Sequence, residues 1–140
     1  MNPSAEWLVL TASACLIAGL VLAWCLSGIR YFSLGFLKAL FPSFAYLLRS
    51  HIDFLMMATL LMVVFLGFAH FAINPPGLII VALCLGSLIN PSGFLALAIK
   101  PDLPQTPTSL FGIYGAFGFV ATTLGYAGAA WLLAQAALTA

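Results

Sequence analysis

Arg49-Ser50-His51-Ile52-Asp53 puts three ionisable or titratable side chains within five positions of a chain that has four basic and three acidic residues in all. The cluster immediately precedes the apolar run Phe54 to Ala72. Ionisable groups are costly in hydrocarbon, so their placement at the mouth of a span marks a candidate functional site. His51 has two readings: an interfacial imidazole bonded to headgroups or a loop, or an axial ligand to haem iron. Iron with one axial position open to substrate needs a single protein nitrogen, whereas a closed zinc site needs about four ligands. Arg49 either pairs with a haem propionate or snorkels to the interface. Ser50 and Asp53 have the spacing of a helix N-terminal cap, with the carboxylate complementing the helix dipole. On a continuous helix His51 and Asp53 are about 200° apart, so a catalytic Asp53 would serve a pocket on a neighbouring helix or subunit. Met56, Met57 and Met62 follow on the same run, as packing for a macrocycle or as core filling.

The elements that position this cluster are helices in a membrane. The 140 residues are 64% hydrophobic and 5% charged, against about a quarter charged in soluble domains. The predicted fold is all-α, an integral membrane four-helix bundle forming one domain. Crossing hydrocarbon takes roughly 20 apolar residues, and four segments qualify: 7–27, 51–72, 77–99 and 109–138. Asn74-Pro75-Pro76-Gly77 ends the second, and the segment from Lys100 to Pro107, with three prolines, ends the third. Segment 29–48 is rich in Phe and Leu, but Lys38 lies at its centre and Pro42 interrupts it. A central Lys costs a spanning helix about 2.5 to 3.5 kcal/mol, so 29–48 is expected to be interfacial or re-entrant. No signal-peptide pattern begins the chain, and the first span is expected to remain in the membrane.

Charge and cysteine usage exclude several classes. Arg30, Lys38, Arg49 and Lys100 form no basic patch, which argues against nucleic-acid binding. Cys15, Cys25 and Cys84 lie in apolar runs without any Cys-x-x-Cys spacing, so they read as packing residues. With four spans, all four bases fall on one side. The positive-inside rule then places both termini outside the cytoplasm, with a bacterial inner membrane as the expected location. His70 lies roughly 19 residues, about 28 Å, from His51 along one helix, so one cofactor cannot engage both. His70, Asn74 and Tyr126 read as a second polar cluster or as separate interfacial groups.

Leu48-Arg49-Ser50-His51, the Met-containing span, Asn90-Pro91-Ser92-Gly93-Phe94, the Pro-rich loop and a Gly/Ala-rich last span together resemble styrene oxide isomerase, over about Arg49 to Leu133. The resemblance implies a small four-span protein that assembles as a trimer, with haem b between subunits. It makes His51 the ligand to the haem iron; Arg49 and Met57, from the residue reading above, are the further residues expected beside the cofactor. The family places an asparagine nearly two turns beyond the histidine and a tyrosine after the Gly-Phe pair; here Met57 and Leu95 stand at those positions. Asp53, Asn90 and Tyr114 are the candidate catalytic replacements. Asn90-Pro91 also reads as a helix kink, and Tyr114 as an interfacial anchor. The implied activity is redox-neutral: ferric haem acts as a Lewis acid and opens a small lipophilic epoxide to an aldehyde. The alternatives are an aryl hydroxylamine mutase, a b-type haem electron carrier and a non-enzymatic membrane assembly subunit.

Assembly has a signal of its own. Gly118, Thr122, Gly125 and Ala129 form a small-residue stripe on the last span, suited to close helix packing between copies or within one chain. Trp7, Trp24 and Trp131 near span ends read as interfacial belt residues.

Overall fold

The computed structural model describes residues 4–139, and these form helices and connections with no strand among them. The helices are α1 (Glu6–Arg30), α2 (Gly35–Leu40), α3 (Phe44–His70), α4 (Gly77–Ile99) and α5 (Leu110–Thr139). Four of them, α1, α3, α4 and α5, are long and apolar enough to cross a bilayer. Their outward faces carry large apolar side chains such as Ile17, Val63, Leu78, Phe119 and Leu124, as a lipid-facing surface requires. The chain is an all-α integral membrane protein. With six residues α2 is too short to span.

The helices are not arranged as an even square. α1 packs on α3, α3 on α4, and α1 also reaches α4, so these three surround a common core. α5 lies along α4 and barely touches α3. Its stripe accounts for this: Gly118, Gly125 and Ala129 are buried, together with Ala121, and Thr122 is half-buried. A Cβ at Gly125 would lie 2.7 Å from the Leu83 backbone nitrogen, and one at Gly86 would lie 2.5 Å from that of Thr122. Such backbone approach is possible only without side chains. The stripe is therefore the α4–α5 interface within one chain, and the support it lent to assembly between copies is withdrawn.

α3 starts seven residues before the span 51–72 read from the sequence, since Pro42 cannot donate and Ser43 is extended. The Ser43 amide donates to the Ala98 carbonyl at 3.3 Å, tying the start of α3 to the end of α4. Arg30, Lys38, Arg49 and Lys100 thus gather at one end of the bundle. This overturns the capping role for Ser50 and Asp53. Ser50 is fully buried, and its hydroxyl donates to the Pro91 carbonyl at 2.9 Å. Asp53 stands in the third turn of α3, well past the dipole's orphan amides.

Pro91 lies inside α4 and removes the hydrogen bond that the Ser87 carbonyl would have accepted. The Cys15 thiol of α1 donates to that carbonyl, with sulfur 3.7 Å away. The Ser87 hydroxyl pairs with the Tyr126 hydroxyl at 3.0 Å, and Tyr126 donates on to the Met57 sulfur at 3.8 Å. Among the described residues no buried side-chain nitrogen or oxygen lacks a partner. Cys15 is thus more than packing. Tyr126 belongs to this interior relay and not to a cluster with His70, whose ring lies edge-on to Phe71.

Candidate functional site

His51 lies about 10 Å along α3 from its first residue, seven positions at 1.5 Å each. Its Nδ1 is 2.8 Å from the Gly19 carbonyl of α1. A carbonyl only accepts, so Nδ1 carries the proton and donates. Nε2 is then the lone-pair nitrogen of the neutral ring. This is the arrangement that a metal-binding histidine needs, with the second nitrogen bonded to a carbonyl that fixes tautomer and ring orientation. The two helices come close here because α1 has no side chain at residue 19: a Cβ would lie 2.7 Å from Leu55 Cδ2.

The ring lines a cleft of about 240 Å³ between α1 and α3, together with Ser27, Arg30, Tyr31, Phe44 and Leu48. Arg30 is the last residue of α1. One cleft is therefore lined by His51 and by the exposed Arg30, a side chain suited to carboxylate.

The other residues singled out in the sequence do not join it. The Arg49 guanidinium lies over the Phe94 ring of α4 at 4.1 Å, a cation–π contact on a different side of α3. Asp53 follows Arg49 by one turn on the same face. Met57 is buried beside Tyr126 in the core. Asn90 is half-buried on α4, near the point where Gly118 of α5 crosses.

Tyr114 belongs to a second pocket, of about 450 Å³, between α4, the α4–α5 connection and α5. Its hydroxyl is 2.6 Å from Ser92 Oγ, and its ring stacks beside Phe111 with centroids 6.4 Å apart. Among the described residues no three of His, Cys, Asp and Glu converge as a metal site.

Sequence reasoning missed Gly19, Arg30 and Ser92. The spacing of Ala23, Ser27 and Arg30 by four and three gave the seam of α1 a readable signal. The Gly19 carbonyl gave none, since every residue carries one. Comparison with family models, curated proteins and solved structures finds no match to this chain.

Proposed function

We propose that the chain is a membrane haem-dependent isomerase in which His51 holds the iron of haem b and a small lipophilic epoxide is opened to an aldehyde. The observation that carries the reading is the hydrogen bond from His51 Nδ1 to the Gly19 carbonyl at 2.8 Å. It leaves Nε2 as a basic nitrogen in a cleft shared with Arg30.

The donor set fits the group at two points. His51 Nε2 suits iron, and the Arg30 guanidinium suits a propionate. Arg30 replaces Arg49 in that role, because Arg49 is engaged over Phe94. The cleft covers only part of a macrocycle, so the opposite wall in this proposal comes from a second copy, with a trimer as the expected assembly. Ferric haem at this position would supply Lewis acidity toward an epoxide oxygen. The chain's own groups do the remainder. The Gly19 carbonyl holds the imidazole in one tautomer, Arg30 fixes the anionic edge, and Phe44 and Leu48 supply apolar wall. Oxygen stabilisation by Asp53, Asn90 or Tyr114 is not part of this site within one chain. In the proposed setting, a bacterial inner membrane with both termini outside the cytoplasm, substrate arrives through the bilayer.

An aryl hydroxylamine mutase would use the same iron ligand and is the second substrate class to screen. A His/His electron carrier is disfavoured, because His70 is at the opposite end of α3.

The deciding experiment is the absorption spectrum of protein purified after haem-replete expression, before and after dithionite, for wild type and His51→Ala. A Soret band in wild type and none in His51→Ala is expected, together with conversion of an epoxide such as styrene oxide by wild type. An unpigmented wild type removes the proposal and leaves a non-enzymatic membrane subunit. A fully pigmented His51→Ala removes the ligand assignment.

A further inference from the structure

The Tyr114 pocket has a hydrogen-bond order that fixes what it recognises. The Ser92 hydroxyl has one proton, and it donates this to the Ile89 carbonyl at 2.8 Å, the local back-bond open to serine in a helix. Ser92 Oγ is then an acceptor toward Tyr114, so at 2.6 Å the Tyr114 hydroxyl is the donor. Both protons run inward, from Tyr114 to Ser92 to Ile89. What remains for a ligand is the lone-pair side of the Tyr114 oxygen. The other walls, Ala96, Leu103, Pro104 and Phe111, offer apolar surface. Phe111 and Tyr114 are within 23° of parallel and form an aromatic wall, on which a flat ring stacks favourably. The volume of about 450 Å³ lies within the range of small-molecule sites.

We infer that this pocket is a second ligand site, distinct from the His51 cleft, for a small aromatic molecule bearing one hydroxyl or N–H group. Such a ligand donates to the Tyr114 oxygen. An ether, epoxide or ketone of the same shape meets lone pair against lone pair. The inference is independent of haem binding at His51.

The test is isothermal titration of 4-ethylphenol and 4-ethylanisole into protein in nanodiscs, with empty nanodiscs subtracting partition into lipid. Wild type is expected to bind the phenol about five-fold more tightly than the ether, the size of one net hydrogen bond. Tyr114→Phe should remove the preference. Ser92→Ala should shrink it, because Tyr114 loses its acceptor and its proton becomes available to the oxygen of either probe. Ala96→Phe should abolish binding of both probes, and melting followed by circular dichroism checks that each variant is folded. No binding above the empty-nanodisc level, equal affinity for the two probes in wild type, or an unchanged preference in folded Ser92→Ala would overturn the assignment. Displacement of the phenol by 1-dodecanol at lower concentration would assign the pocket to a lipid hydroxyl and overturn it equally.

Discussion

The His51 cleft and the Tyr114 pocket lie toward the same end of the bundle and obey one rule with different results. Each group donates its proton inward, His51 to the Gly19 carbonyl across a helix pair and Tyr114 to Ser92. Each therefore presents a lone pair outward. His51 shares its cleft with Arg30, and in the proposed reading this pair takes metal and carboxylate. On Tyr114 the lone pair belongs to a phenolic oxygen among apolar side chains, a combination for a neutral donor. At both sites the hydrogen bond already made within the chain, more than the residue type, decides what the group offers.

The largest expected effect separates the two sites outright. His51→Ala should lose all haem while retaining phenol binding at Tyr114, and Ala96→Phe should do the opposite; pigment and titration read on both variants would expose any coupling. Next comes the α4–α5 interface that carries the second site but not the first. Gly125→Leu would force a side chain against the Leu83 backbone, with a cost of about 3 kcal/mol expected from overpacking. Unfolding in mixed detergent measures it, and phenol binding should fail before pigment does.

Within the first site, the two arginines give a sharper contrast. Arg30→Gln should weaken haem retention several-fold, whereas Arg49→Gln should leave it unchanged and cost about 1 kcal/mol of stability from the lost contact with Phe94. Haem transfer to apomyoglobin compares the rates. The smallest effect belongs to the hydrogen bond that Cys15 makes at the break caused by Pro91, away from both sites. Cys15→Ala deletes the donor to the freed Ser87 carbonyl and should cost about 0.6 kcal/mol, typical of a hydrogen bond between membrane helices. Neither ligand's affinity should move.

Much of the fold was legible because hydropathy adds along a segment. The Pro-rich breaks before Gly77 and after Lys100 coincide with the ends of α4. The start of α3 was not legible, because Arg49, Ser50 and His51 look like an interface when their partners are unknown. Inside the bundle each has one: Phe94, the Pro91 carbonyl and the Gly19 carbonyl. The stripe on α5 was visible as a stripe, but its spacing suits a helix of the same chain as well as one of another. Tyr114 stood out as a polar aromatic, while the proton order that gives it a specificity depends on Ser92, more than twenty residues away in sequence.

The sequence by itself determined that this is an all-α membrane protein with four apolar helices, and it singled out His51 as a candidate for chemistry. Both follow from quantities that residues carry individually, transfer free energy and side-chain type. Tertiary structure decided that Arg30, not Arg49, shares the histidine's cleft, that Met57 and Tyr126 face the core, and that Tyr114 serves a separate pocket. Those outcomes depend on how each helix is rotated against its neighbours and on which backbone carbonyl lies opposite a donor. Backbone carbonyls are chemically alike at every residue, so only packing distinguishes the one that is used.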